Sequence, residues 1–364
     1  HEEAIWPARL PLPNCAAGSA GRGRLGRGAG RRPRADARSL SENFVHGDWH
    51  EGRDYMGYDS VSQQRGPWMI DASLIEKEFP QQGDLVYLNH AAVAPWPART
   101  AAAICAFADE NVRSGASRYA EWVSKQQQLR EQLRRLINAP SSADIALLKN
   151  TSEALSVVAC GLDWRWGDNV VSTDEEFPSN RIPWQAQRKT GVGLKQVSIR
   201  GEEPEEALMQ QCDARTRVLA VSSVQYASGI RLDLGRLGAF CRSRGILFCV
   251  DAIQSLGAFP VDVQAECIDF LMADGHKWML GPEGIALFYC AEAQRFSLEL
   301  RQFGWHMVEN SSEFESQDWR PAATARRFEC GSGNLLGSFG LSASVSLLEQ
   351  IGIESISRTV LNTN

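Results

Sequence analysis

Three short segments of this chain carry residues with the means to do chemistry. The tetrapeptide Asp274-Gly275-His276-Lys277 follows the apolar run Ile268–Met272 and leads into Trp278-Met279-Leu280-Gly281-Pro282-Glu283-Gly284. A lysine that attacks a carbonyl needs a rigid, partly dry position where its pKa falls and its amine is free. The flanking Gly and Pro residues suit a constrained loop of that kind; the plainer reading of Lys277 is a surface lysine. Asp251 closes the run Ile246-Leu247-Phe248-Cys249-Val250. A carboxylate ending a buried strand is costly unless it meets a positive partner. Asp251 is either the N-cap of a helix from Ala252 onward or the partner of a protonated pyridine nitrogen. In the second role it keeps the ring an electron sink for a carbanion at a substrate α-carbon, and Gln254 is close enough in sequence to reach a phenolic oxygen on the same ring. The third segment is Asn150-Thr151-Ser152-Glu153-Ala154, between the run Ile145–Leu148 and an apolar helix. Hydroxyls at a helix start are ordinary caps. The same geometry, with free backbone N–H groups and a positive helix end, also accepts a phosphate.

The elements that must position these residues alternate. Apolar, β-branched runs occur at Ile145–Leu148, Val170–Val171, Val218–Val221, Ile246–Val250, Ile268–Met272 and Ile285–Tyr289, with helix-like stretches such as Trp122–Ile137, Glu205–Cys212 and Leu234–Arg244 between most of them. That order predicts an α/β fold with a mostly parallel sheet covered on both faces. Ligands of such sheets sit at the carboxyl ends of the strands, where the three segments fall. A large domain is expected over 91–335, preceded by an N-terminal segment over 67–90. Leu335–Gln350 reads as a long helix shortly before the last residue, so 336–364 is expected to be the start of a second, small domain that is cut short. Residues 1–66 differ from the rest. Their Gly/Arg-rich stretch Gly21–Arg32 has no apolar period and cannot offset its chain entropy, so a disordered tail is expected, with Met69 as a natural start. A basic arm for nucleic acid is the other reading of that stretch.

Together these segments resemble the class V aminotransferase family of fold-type I enzymes that use pyridoxal 5′-phosphate (PLP). The family includes cysteine desulfurases and isopenicillin-N-epimerase-like proteins. The resemblance runs from Tyr87-Leu88-Asn89-His90-Ala91-Ala92 to about Gly337, and its most specific block is Val250-Asp251-Ala252-Ile253-Gln254 followed by Gly275-His276-Lys277. It implies that Lys277 is the Schiff-base lysine, Asp251 the pyridinium partner and Gln254 a ligand of the phenolic oxygen. It implies phosphate contacts from Thr151, Ser152 and His276, and a place for Gln225 beside the phenolic oxygen. Phe177 matches the position of a residue over the cofactor ring. Arg327-Phe328-Glu329-Cys330-Gly331-Ser332-Gly333-Asn334 resembles a segment whose hydroxyl residue reaches the phosphate of the neighbouring subunit, so Ser332 implies a homodimer with shared sites.

Three departures bear on the reaction. Asp274 stands where many desulfurases have a serine on the phosphate; an anion there repels the phosphate unless it turns away, so Asp274 is not expected in the site. Phe177 replaces a histidine and cannot move protons. The substrate-carboxylate arginine and persulfide-forming cysteine of desulfurases lie beyond the long helix, past the last residue here, and Cys330 is a poor match for the latter. The expectation is therefore a PLP-dependent enzyme acting at the α-carbon of an amino acid or amine, aminotransferase or epimerase-like. A cysteine desulfurase and a non-catalytic protein of the same fold are the alternatives.

Bulk composition agrees with that class. The chain has 364 residues, 43% of them hydrophobic, enough for one large domain and a smaller one. A net charge of −6 gives no electrostatic case for nucleic-acid binding. No apolar run approaches the roughly 18 residues of a membrane span, and no signal-peptide h-region is visible. Nine cysteines without a CxxC pair or zinc spacing read as reduced, mostly buried thiols of a cytoplasmic protein, with no metal site.

Overall fold

Every apolar run noted above becomes a strand in the computed structural model, which describes residues 70–81, 83 and 85–363. The strands are β1 (Ile145–Leu148), β2 (Asn169–Thr173), β3 (Gly193–Val197), β4 (Thr216–Ser222), β5 (Leu247–Asp251), β6 (Phe270–Asp274) and β7 (Ala286–Cys290). They form one sheet in the order β1-β7-β6-β5-β4-β2-β3. All pairs from β6 to β3 are parallel, and β7 alone runs antiparallel to its two neighbours. The mostly parallel α/β sheet expected from the sequence is therefore present. The tail expected over 1–66 lies outside the described residues.

Two strands depart from their sequence reading. β3 is an edge strand paired only with β2, and its half-exposed Lys195 and Gln196 gave no apolar run to find. β6 starts two residues later than expected and ends at Asp274, because its ladder with β7 runs from Phe270↔Cys290 to Asp274↔Ala286. Asp274 is thus a buried strand residue rather than part of the following loop.

Among the described residues, ten α-helices accompany the sheet: α1 (Ala72–Glu78), α2 (Ala98–Ser114), α3 (Tyr119–Leu136), α4 (Thr151–Gly161), α5 (Ile182–Ala186), α6 (Pro204–Gln211), α7 (Leu234–Arg244), α8 (Glu292–Arg295), α9 (Leu335–Ile351) and α10 (Ile353–Thr363). Strand alternation sends Leu219, Val221, Phe248 and Val250 to one face, against Leu129 and Leu133 of α3 and Leu237 of α7. Val218, Ala220 and Cys249 go to the other face, against Leu155 and Val158 of α4 and Trp184 of α5. Burial on both faces is what parallel strands require. The helix expected to open a second domain, α9, packs on α2 and α3, and its Leu341 and Val345 join the first of these cores. No single helix among the described residues is long and apolar enough to cross a membrane.

Eight cysteines lie among the described residues, all free thiols. Cys241, Cys249 and Cys290 are buried, but Cys105 and Cys160 are exposed, so fewer are buried than expected. They form no metal-binding cluster with His, Asp or Glu among the described residues.

A buried ion pair ties the Arg327–Asn334 segment to the sheet. Arg130 of α3 donates to both oxygens of Glu329 at 2.5 and 2.8 Å, and Glu329 also accepts the Leu147 N–H of β1 at 2.8 Å. Removing one partner of such a pair leaves the other charge buried and typically costs about 3–5 kcal/mol. Glu329→Ala is expected to lose stability on that scale in urea unfolding, and a loss below about 1 kcal/mol would show the pair to be dispensable.

Candidate active site

Lys277 owes its position to the loop that follows β6. The loop closes on itself through Gly275 N–H to Ile285 O (2.9 Å), Gly281 N–H to Gly275 O (2.8 Å) and Leu280 N–H to Lys277 O (2.9 Å). Leu280 sits at φ 60°, in the left-handed region that non-glycine residues seldom occupy. The loop after β5 passes directly beneath. Gly257, at φ 106°, lies so close to Trp278 that a Cβ there would meet the Trp278 carbonyl oxygen at 2.1 Å. Only glycine allows the two loops to approach this closely, and the approach brings Asp251 and Lys277 into one cavity.

That cavity, of about 340 Å³, is lined by Lys277, Asp251, His276, Asp274, Thr151 and Ser152, together with Ala91, Ala92, Asn150, Phe177, Ser179, Tyr226 and Ile253. The nine residues singled out from sequence divide as follows. Thr151, Ser152, Phe177, Asp251, His276 and Lys277 face the cavity, while Ser332 is exposed elsewhere on the surface. Gln225 and Gln254 lie behind the wall. The Gln225 amide nitrogen is within 3.3 Å of both Glu176 and the Ser222 carbonyl. Gln254 donates to Ala91 O (2.9 Å) and accepts from the Trp278 indole (3.1 Å). A larger cavity of about 880 Å³ lies within residues 303–320 and contains none of these side chains.

The electrostatics of the site follow from burial. Asp251 is 2% exposed, and its carboxylate accepts the Ile253 N–H at 3.0 Å. Burial pushes its carboxyl up to about 7, with the nearby Glu176 and Asp274 adding to the rise and Ile253 N–H and Lys277 opposing it. Burial lowers the Lys277 ammonium, against the pull of Asp251 and Asp274, which favours the free amine. The Lys277 Nζ lies 5.6 Å from the centre of the Phe177 ring. That ring meets Tyr226 edge-on at 5.2 Å, so two aromatic side chains form one wall.

The opposite end is built to take an anion. Asn150 caps α4 by accepting Glu153 N–H at 2.8 Å. Thr151, the first helical residue, holds a buried hydroxyl that has no hydrogen-bond partner among the described residues. Ser152 is exposed and contacts the Ser179 hydroxyl at 2.8 Å. The dipole and free N–H groups at a helix start favour negative charge. Asp274, not expected in the site, also lines the cavity. Its Oδ1 accepts Gly275 N–H at 3.0 Å and lies 3.1 Å from His276 Nδ1. A nucleophilic amine, a buried carboxylate for a ring nitrogen, an aromatic wall and an anion-accepting helix end match the aldehyde, pyridine and phosphate of PLP.

Tyr226, Ser179, Asp274 and Glu176 were not assigned from sequence. Tyr226 adjoins Gln225, Glu176 adjoins Phe177 and Ser179 lies two residues beyond Phe177, and that nearness is the signal that pointed toward them. An acidic residue that will be buried looks in sequence like one that will be solvated.

Comparison with known proteins agrees with this geometry. The family model described as aminotransferase class V matches residues 86–363. The chain is 35% identical over 292 residues to a "Probable cysteine desulfurase" of Methanothermobacter thermautotrophicus, covering 78% of this chain and 72% of that protein. It is 32% identical to the protein of the same description from Pyrococcus abyssi, again covering 78% and 72%. Among solved structures, the apo cysteine desulfurase of Thermococcus onnurineus superimposes with a TM-score of 0.70 at 28% identity, covering 80% of this chain and 74% of that one. The cysteine desulfurase CsdA of Escherichia coli gives 0.71 at 26% identity, covering 79% and 74%.

The raised carboxyl of Asp251 has a pH signature. A group whose folded pKa lies above its unfolded value contributes stability below the unfolded pKa and loses it as pH rises through the folded one. With values of 3.8 and about 7, cofactor-free protein is expected to lose stability across that window, and Asp251→Asn to flatten the loss. Equal slopes of unfolding free energy against pH for the two proteins would show that Asp251 titrates normally.

Proposed function

Since the chain belongs to the class V aminotransferase family of PLP-dependent enzymes, we propose that it is a cysteine desulfurase that holds PLP on Lys277 and breaks the Cβ–S bond of L-cysteine. The observation that carries the cofactor assignment is the convergence of Lys277, Asp251 and the start of α4 on one cavity. The relatives at 35% and 32% identity favour desulfuration over the transamination or epimerisation that Phe177 points to.

PLP, when bound, supplies an electron sink for negative charge at the substrate α-carbon. Lys277 would hold it and, once freed by the substrate amine, carry a proton to and from that carbon at Nζ. Its burial keeps the amine available for both tasks. Asp251 would hold the pyridine nitrogen protonated. Thr151, Ser152, His276 and the α4 N–H groups would bind the phosphate, and Phe177 would stack on the ring. Phe177 offers no proton, so any proton needed at the sulfur end must come from another group. That departure keeps an aminotransferase or epimerase-like reaction as the second reading.

Purified protein is expected to be yellow with PLP, and borohydride followed by peptide mapping should place the pyridoxyl group on Lys277. With L-cysteine and dithiothreitol it should release alanine and sulfide. A label on another lysine overturns the cofactor assignment. Keto acid or D-amino acid products overturn the reaction, and bound PLP without turnover of any amino acid makes the protein a non-catalytic member of the fold.

Ser332, exposed on its own subunit, is proposed to complete the phosphate site of a partner in a homodimer. A hydrogen bond to a charged group contributes roughly 1.5–3 kcal/mol, so Ser332→Ala should weaken PLP about ten- to a hundredfold. In a mixed dimer of Ser332→Ala and Lys277→Ala subunits both lesions then fall on one site, and the other binds PLP normally. Two impaired sites, or a monomer that binds PLP tightly, would refute sharing.

A further inference from the structure

Glu176 is 6% exposed and, among the described residues, has no ion-pair partner. It accepts instead from five donors. Its Oε1 takes Ser222 N–H at 2.7 Å, the Thr173 hydroxyl at 3.2 Å and the Gln225 amide at 3.3 Å. Its Oε2 takes the Ser222 hydroxyl at 2.5 Å and the Asn180 amide at 2.9 Å. Two of these donors are themselves fixed. The Trp184 indole donates to Asn180 Oδ1 at 3.0 Å, which turns the Asn180 NH₂ toward Glu176. The Gln225 NH₂ also faces the Ser222 carbonyl at 3.3 Å, so a flipped amide would set oxygen against two acceptors. Burial raises the Glu176 carboxyl and the donors oppose that rise. An acceptor-only group fits this shell.

The donors come from separate pieces of the cavity. Thr173 ends β2. Asn180 closes the short turn that carries Phe177 and Ser179, both on the cavity wall. Ser222 ends β4 in register with Asp251. Gln225 precedes Tyr226, whose ring packs edge-on against Phe177. We propose that Glu176 is a positioning residue of the cofactor site: its buried carboxylate clamps the Phe177 wall and the Gln225–Tyr226 turn to the end of β4, beside Asp251. This rests on the PLP reading above. Glu176 is not among the residues lining the cavity; it sets how far the aromatic wall stands from the strand end that carries Asp251.

An amide cannot replace this carboxylate. Its NH₂ would meet either Ser222 N–H or the Asn180 NH₂, so Glu176→Gln releases at least one of the clamped pieces. The test measures PLP dissociation by absorbance and the visible circular dichroism of bound PLP, which reads how the ring is held. It compares wild type, Glu176→Gln, Phe177→Leu and the double variant. Glu176→Gln is expected to weaken PLP about ten- to a hundredfold, the scale of one lost hydrogen bond to a charged group, and to change the dichroism. In the Phe177→Leu background the same substitution should add less than about threefold, since the wall it positions is already gone. Equal losses in both backgrounds, or unchanged affinity and dichroism in Glu176→Gln, overturn the inference while leaving PLP binding intact. Wild-type protein that takes up no PLP overturns both readings. Should Glu176→Gln not fold, Ser222→Ala removes one donor and leaves the carboxylate in place, and the same cycle with Phe177→Leu is decided by the same outcomes.

Discussion

A carboxylate and an amine kept almost entirely out of water at one edge of a sheet set the terms for the rest of this structure. Asp251 is 2% and Lys277 8% exposed. Burying either group alone is costly, and two further carboxylates, Glu176 and Asp274, raise the cost at Asp251. A flexible frame would relax by letting water in. The frame is instead a parallel sheet with packed cores on both faces, and the loops leaving β5 and β6 are locked together where Gly257 passes under Trp278. The strain at Leu280 belongs to the same constraint. A loop that must return from Lys277 to β7 while holding the amine inward cannot choose its backbone angles freely. The price of this charge arrangement explains why so much close packing gathers around one lysine.

Much of the architecture was legible because parallel strands need apolar residues on both faces. Val218–Val221 and Ile246–Val250 show as short continuous runs for that reason. β3 did not, because an edge strand can leave Lys195 and Gln196 half exposed. The register of β6 was invisible for a different reason. Pairing with β7, not hydrophobicity, decides that Asp274 belongs to the strand, and the strand end carries this carboxylate, which is not assigned to the site from sequence, to the cavity wall. Lys277, Asp251 and Thr151 were found because each sits at a junction between an apolar run and a polar motif. Glu176 was not, since Glu175 beside it has the same residue type and a different fate. What separates them is a shell of donors in which Thr173 and Asn180 are close in the chain but Ser222 and Gln225 lie more than forty residues on, outside any local window.

The two glutamines show how a motif can place a residue correctly and still leave its contacts open. Gln254 is near the site, but its amide is used on Ala91 and Trp278. Gln225 is held by Glu176 and Ser222. Both amides therefore serve as ties between segments that do face the cavity.

The same ties imply an uneven distribution of stability. The cavity draws on segments far apart in the chain, from Ala91 to Lys277. Those on the sheet are backed by core. The stretch from Leu85 to Trp96 is not: Leu85, Val86 and Leu88 are 56, 77 and 84% exposed. It is joined to the site by Ala94 N–H to His276 O at 2.9 Å, by Gln254 to Ala91 O, and by the His90 ring stacked on Trp278 at 5.4 Å. Few buried contacts mean a low free energy of local opening. A ligand that binds only the closed form stabilises it by mass action, so any ligand held against Ala91 and Ala92 would draw on this stretch for its affinity. The strand ends, backed by core on both faces, fix where Asp251 and Lys277 stand, and the Leu85–Trp96 stretch is held to them by a few bonds at its Ala91–Ala94 end.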